Sequence, residues 1–270
     1  MDDSRFAQLL DFMNASWRGY RKVRKGVKKR ISRHMQELDC RSMDHYIERL
    51  GADEKAQAEC KRLMGVSISR FFRDRRLWDI LEERVLPEIV KQGRNPLNIW
   101  FAGCAGGEEV YSFRILWEKF SGGLENSPEL SILATDLNPE YLERARAGIY
   151  PAGALHEADE TILARWFVKH GKNRFAVDGS LQEDVCWKVY DHLEGSPPEQ
   201  DPEECLDIVF LRNSILTYYP QEAFCEPLGR ITAAIAPSGF LVIGAKEAIP
   251  DPGRQHLRRY DRYIYRKILS

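Results

Sequence analysis

The sequence predicts an α/β protein: a mostly parallel sheet with helices on both faces, preceded by a small all-helical domain and carrying a small antiparallel insertion. Three observations predict it. Up to about Gln92 the chain is rich in helix formers and holds a single proline, Pro87. Beyond Gly93, short and nearly continuous apolar runs alternate with helical stretches, the pattern of strands buried on both faces. Those runs end on glycine, on an acid or on Arg-Asn, and parallel sheets bind ligands at the carboxyl ends of their strands. The expected domains are 1–92 and 93–270, with the insertion at about 171–191.

In the first domain, nine Lys and Arg lie between Arg18 and Arg33 with no acid among them. Tyr20, Val23, Val27, Ile31 and Leu38 recur at steps near three and four, so this stretch reads as an amphipathic helix with a basic back. Clustered cations attract nucleic acid, an acidic lipid headgroup or an acidic partner helix even in a chain of formal net charge −1, with Lys+Arg 40 against Asp+Glu 41. The alternative is a solvated charged face. The overall balance excludes a globally basic nucleic-acid coat protein and an acidic disordered tail.

Four strands follow in the second domain: Leu97–Phe101, Leu130–Ala134, Leu206–Leu211 and Gly239–Ile243. Asn173–Val177 and Val185–Tyr190 read as two more, joined through Asp178-Gly179 as the antiparallel insertion. No apolar run approaches the roughly 20 residues of a membrane-spanning helix, and no signal core follows the polar N-terminus. Six scattered cysteines (40, 60, 104, 186, 205, 225) form no Cys-x-x-Cys pair, and neither they nor the histidines show ligand spacing. The expectation is a cytoplasmic protein with reduced thiols and no metal.

The first strand runs into Gly103-Cys104-Ala105-Gly106-Gly107-Glu108-Glu109. Glycines at such a turn admit a ligand to the backbone. The segment lacks both the Gly-Lys-Ser/Thr of a phosphate loop and the Gly-x-Gly-x-x-Gly of a dinucleotide site. Two glutamates would repel a pyrophosphate and suit a cationic amine or sulfonium, the chemistry of S-adenosylmethionine rather than of NAD or ATP. They equally suit the first turn of a helix that binds nothing. At the end of the second strand, Asp136 offers two acceptor oxygens to a ribose. Its alternative is helix capping, which Asn138 before Pro139 can perform instead.

Ser69-Arg70-Phe71-Phe72-Arg73, the run Ile99 to Ser112, Ala134-Thr135-Asp136, the run Ala145 to Tyr150 and Leu211-Arg212-Asn213 together resemble the CheR-type chemotaxis receptor methyltransferases. The likeness covers nearly the whole chain, through Arg165-Trp166-Phe167 to Gly244-Ala245-Lys246-Glu247. It implies a class I methyltransferase (Rossmann-like) domain, S-adenosylmethionine as methyl donor with S-adenosylhomocysteine as product, and a protein glutamate as acceptor. Carried over by residue, it places Ser69 and Arg73 near the transferable methyl group, with Tyr218 as a third catalytic candidate. Glu108 or Glu109 would meet the methionine amine, Asp136 the ribose, and Arg212 with Asn213 the far wall. Ser67, Gly103, Cys104, Ala105, Leu137, His192 and Leu193 complete the implied donor site. An acidic receptor helix would meet the Arg18–Arg33 face.

The chain departs from that family at four places. Gly106 stands where threonine is usual, and His192 where an asparagine reaches the adenine. Thr217 falls on the active-site tyrosine, with Tyr218 one place later, and Lys246 replaces a small polar residue. Because the doubt falls on the acceptor side, a small-molecule acceptor and a non-catalytic donor-binding module are the alternatives. Nucleic acid is disfavoured by the near-neutral charge and by the absence of an Asn/Asp-Pro-Pro-Tyr motif.

Overall fold

The computed structural model describes residues 1–67, 69–193, 205–254 and 256–268. Its N-terminal helices are α1 (Asp3–Phe12), α2 (Trp17–Tyr20), α3 (Arg24–Glu37), α4 (Met43–Ala52) and α5 (Glu54–Met64). Caps set their starts: the side chains of Asp2, Ser42 and Asp53 accept from Arg5 N, His45 N and Ala56 N respectively. The helices bury one apolar cluster containing Phe6, Leu10, Tyr20, Val27, Ile31, Tyr46 and Leu50.

The basic stretch is therefore two helices and not one, because the chain turns at 21–23. Of its nine cations, Arg24 and Lys28 pair with Asp3. Arg30 donates to Leu63 O at 2.7 Å and Gly65 O at 2.6 Å. Arg18, Arg21, Lys22, Lys25, Lys29 and Arg33 are exposed.

Next come α6 (Arg75–Ile80), a π-helical turn at Leu81–Val85 and α7 (Leu86–Val90). These residues do not pack on the helical cluster. Phe71, Trp78, Leu81 and Ile89 join the core of the sheet, where Trp78 stacks on Phe210 at 6.4 Å and Phe210 on Phe101 at 4.4 Å. Fully burying a side chain such as Phe71 contributes roughly 1.5–3 kcal/mol relative to exposure. The sequence texture changes near residue 92, but side-chain packing changes partner between Val66 and Phe71. Helix formers continue across that point, so composition alone does not register it.

The sheet contains β1 (Leu97–Ala102), β2 (Leu130–Asp136), β6 (Val185–Val189), β7 (Leu206–Leu211), β8 (Ile235–Ile243), β9 (Leu257–Arg259) and β10 (Ile264–Lys267). Its order is β6-β2-β1-β7-β8-β10-β9, parallel from β6 through β8 and antiparallel at β10 and β9. Every residue of β1 and β7 is buried, which explains their nearly continuous apolar sequences. Helices α8 (Glu108–Ser121), α9 (Pro139–Ala147), α10 (Glu160–Trp166), α11 (Ile215–Tyr218) and α12 (Gln221–Ala233) complete the chain order. Apolar clusters on both sides of the sheet place β1 residues in each, Phe101 in one and Trp100 in the other.

The insertion differs from its expectation. Its small sheet joins β3 (Ile149–Pro151), β5 (Arg174–Val177) and β4 (Phe167–Lys169), all antiparallel. Val185–Val189 does not pair with Arg174–Val177; it is the parallel edge of the main sheet, with Ala134 opposite Trp187. A strand with one open edge and half-exposed faces alternates like an antiparallel one, so its sequence does not reveal which sheet it joins. Among the described residues, no helix is long and apolar enough to cross a membrane.

Candidate functional site

The carboxyl ends of β1, β2 and β7 meet in a cleft of about 120 Å³ that opens to solvent. The turn after β1 is built by hydrogen bonds from β2. Gly103 N and Cys104 N both donate to Thr135 O at 2.9 Å. Ala105 N donates to Asp136 Oδ2 and Asn138 N to Asp136 Oδ1, each at 2.9 Å. Gly103 has φ 91, a left-handed conformation that glycine adopts without a Cβ penalty. Asn138 caps α9 by accepting from Glu140 N, so Asp136 is not needed for that job. Burial pushes the Asp136 carboxyl above the ordinary range while its two backbone donors oppose that shift. Each carboxylate oxygen retains a further lone pair toward the cleft.

The two glutamates at the start of α8 have different surroundings. Glu109 pairs with Arg212, whose other Nη reaches Asp74 Oδ2 at 2.5 Å. Glu108 is 4% exposed, and its Oε2 has no hydrogen-bond partner among the described residues. Burial raises its carboxyl, and its own backbone N–H and then the charge of Arg144 oppose the rise. Glu108 O accepts from Ser112 Oγ, which in turn accepts from Phe72 N at 2.9 Å. The Phe-Phe-Arg loop is thereby tied to the helix start, with Phe72 held at φ 53, an uncommon conformation for a bulky residue.

His192 is buried against Trp100 and Tyr190, with ring centroids 5.8 and 5.2 Å away. Its Nε2 lies 2.9 Å from Thr135 Oγ1, a hydroxyl that donates to Phe101 O. With the hydroxyl proton directed to Phe101 O, the ring donates from Nε2 and Nδ1 is left an acceptor. Burial holds the imidazole neutral, its pKa lowered to about 3. A histidine with a depressed folded pKa stabilises the fold above its unfolded value near 6.5 and loses that contribution as pH falls through the window down to about 3. Between pH 7 and pH 5, denaturant unfolding of the wild type is expected to lose about 2 kcal/mol more stability than unfolding of His192→Asn.

At the end of β7, Asn213 N and Gly244 N donate to Glu247 Oε2 at 2.9 and 2.6 Å, and Thr217 Oγ1 donates to Oε1. Tyr218 packs its ring 4.9 Å from Tyr20. Burial lifts its hydroxyl to about 12 against the pull of the nearby Arg73 charge. The helical unit closes this side. Ser16 N donates to Tyr218 O at 2.7 Å, and Gly19 lies so close to Thr217 O that any Cβ there would overlap it.

Of the residues the sequence singles out, Gly103, Ala105, Asp136, Leu137, His192, Leu193, Asn213 and Tyr218 line the cleft. Cys104 and Glu108 are buried beside it; burial raises the Cys104 thiol well above its usual value. Ser67, Ser69 and Arg73 are half-buried on the loop that joins the helical unit to α6. Glu109 and Arg212 are outside the lining and hold the starts of α8 and α6 together instead of forming the far wall. Lys246 is exposed. Sequence reasoning missed Tyr20, Lys61, Gly65, Val66 and Tyr141, which also line the cleft. Lys61 Nζ reaches Asp191 Oδ2 at 2.5 Å, and Tyr141 OH donates to Gly65 O at 3.2 Å. Tyr20, Lys61, Gly65 and Val66 are brought over the sheet by the helical unit while Tyr141 stands on α9, and no local motif marks them.

The family model described as the CheR methyltransferase, SAM binding domain, matches residues 67–264. A chemotaxis protein methyltransferase of Listeria innocua is 27% identical over 241 residues, spanning 89% of this chain and 88% of that protein. Chemotaxis protein methyltransferase 1 of Pseudomonas aeruginosa is 30% identical over 230 residues, spanning 83% of this chain and 81% of that protein. The chemistry of the cleft fits the donor such proteins use: a buried acceptor lacking a donor at Glu108 matches an ammonium, and Asp136 matches a diol. With a matching model that begins at Ser67 and runs through every strand-end motif of the sheet, the chain belongs to the CheR methyltransferase family and is an S-adenosylmethionine-dependent methyltransferase.

Proposed function

We propose that this chain methylates carboxylate side chains on an acidic protein helix of the chemotaxis-receptor kind. The observation that carries the proposal is the placement of the exposed cations. Tyr20 is a wall of the cleft, and exposed Arg18, Arg21 and Lys22 flank it directly in the chain. An acidic helix attracted to that face approaches the mouth of the donor site. On this reading the helical unit up to Val66 docks the acceptor, and the remainder of the chain performs the transfer.

S-adenosylmethionine supplies, when bound, a methyl group on a sulfonium that loses its charge as the methyl leaves. The chain's residues bind, align and exclude water. Glu108 Oε2 takes the donor ammonium, and Asp136 takes the ribose hydroxyls. Leu137, Leu193 and His192 wall the base, with the Nδ1 acceptor suited to an exocyclic amine. Gly103, Cys104 and Ala105 shape the turn, and Ser67, Ser69 and Asn213 border the donor. Arg73 holds the acceptor carboxylate through its planar pair of N–H groups. An ionised carboxylate needs no general base. The Tyr218 hydroxyl, kept protonated by burial, donates a hydrogen bond and does not abstract a proton.

Incubation with labelled donor and the cytoplasmic fragment of an acidic receptor is expected to give base-labile label on the fragment. Reversing Arg21, Lys22, Lys25 and Lys29 to Glu is expected to raise the acceptor KM about tenfold, roughly 1.4 kcal/mol, with affinity for S-adenosylhomocysteine unchanged by calorimetry. An unchanged KM contradicts the docking assignment.

One observation favours a second reading. Thr217, where the family has its tyrosine, directs its hydroxyl to Glu247 and is outside the cleft lining. A small-molecule acid as acceptor, or a donor-binding module without turnover, accommodates that change. Label on a metabolite of a whole lysate, or tight donor binding with no label anywhere, selects between these two.

A further inference from the structure

Arg144, on α9, has entered so far only as a charge near Glu108. Its side chain is 40% exposed, yet Nε and Nη2 are buried and lack hydrogen-bond partners among the described residues. The guanidinium lies against the backbone of Gly106, where a Cβ would overlap Nη2, Nε and Cζ. Nη2 is 3.6 Å from Glu108 Oε1, and the other oxygen of that carboxylate is unpartnered as well. Two oppositely charged groups with unmet polar atoms thus stand together at the base of the turn that shapes the donor site.

We propose that Arg144 is a positioning residue for the donor's amino group, acting through Glu108: its guanidinium fills the space a side chain at 106 would take and presents a cation to the buried carboxylate. The inference rests on the assignment of Glu108 to the donor ammonium. It accounts for Gly106 physically, since a side chain at 106 would displace the Arg144 guanidinium from this place. Other titratable groups facing Glu108 are Glu109, Tyr150 and Cys104. Glu109 is paired with Arg212. Tyr150 donates to Gly106 O at 2.6 Å, and burial keeps both its hydroxyl and the Cys104 thiol protonated. Arg144 is therefore the cation that opposes the burial of Glu108.

The test uses calorimetry on the full chain with two ligands, S-adenosylhomocysteine and 5′-methylthioadenosine, which lacks the amino-acid end. Arg144→Ala is expected to weaken the first about tenfold, the equivalent of one unit in the ionisation of Glu108, and to leave the second unchanged. The pH below which S-adenosylhomocysteine affinity falls is expected to rise in Arg144→Ala and to return toward the wild-type value in Arg144→Lys. Gly106→Thr is expected to reproduce the Arg144→Ala loss, and the double variant to lose no more than either alone. Equal weakening of both ligands in Arg144→Ala and Arg144→Lys assigns a merely structural role and overturns the proposal, as does an unchanged affinity in Arg144→Ala. Failure of the wild type to bind either ligand overturns the donor-site assignment together with it, whereas the preceding outcomes leave that assignment standing.

Discussion

Replacing Asp136 by Ala is expected to weaken S-adenosylhomocysteine binding about 100-fold, the effect of two lost charge-assisted hydrogen bonds at roughly 1.5 kcal/mol each. The carboxylate has two tasks. It accepts the N–H groups of Ala105 and Asn138, and it presents its remaining lone pairs to the cleft. Alanine removes both functions and leaves two backbone donors without their partner. Asp136→Asn separates the tasks, because its amide oxygen still accepts one backbone bond while one hydroxyl acceptor is lost. That variant is expected to lose about tenfold in affinity with a smaller change in melting temperature than the alanine variant. Equal affinity of wild type and Asp136→Ala, measured by calorimetry, contradicts the ribose assignment.

The second large effect is expected at Arg73. Arg73→Ala is expected to lower kcat about 10²- to 10³-fold, as removal of one preorganised electrostatic group does, with little change in S-adenosylhomocysteine affinity. The surroundings of the residue explain why its position is defined. Phe71 and Phe72 on either side of the loop bend are buried, Phe72 N is fixed to Ser112 Oγ, and Arg73 O accepts from Trp78 Nε1 at 3.0 Å. A single-turnover measurement at saturating donor reads the effect; a KM change for donor with kcat intact would assign Arg73 to donor binding instead.

Much of this arrangement is legible in the sequence because burial on two faces leaves little choice of residue. Leu206–Leu211 and Leu97–Phe101 are apolar but for Asp207 and Asn98, so strand identity follows. Asp136 and the glycine turn are legible for a related reason: a tight bend and a paired acceptor each admit few residue types. What is not legible is where distant segments come together. Nothing near Lys61 announces that it will face Asp191, and Arg212, read as a wall of the pocket, turns out to link Glu109 and Asp74. The register of Val185–Val189 failed for a different reason, since its alternation is compatible with either sheet. Arg144 escaped notice because an arginine on a helix is ordinary until the missing side chain at 106 is placed beside it.

The contact of Gly19 with Thr217 and Tyr218 limits how such proteins can be recombined. A foreign helical unit grafted before Phe71 would seat on this sheet if it carries hydrogen in place of a side chain at that point; a methyl group there would hold the two halves apart. Acceptor preference can therefore be exchanged as a cassette of the first helices only where the incoming unit carries glycine at that point.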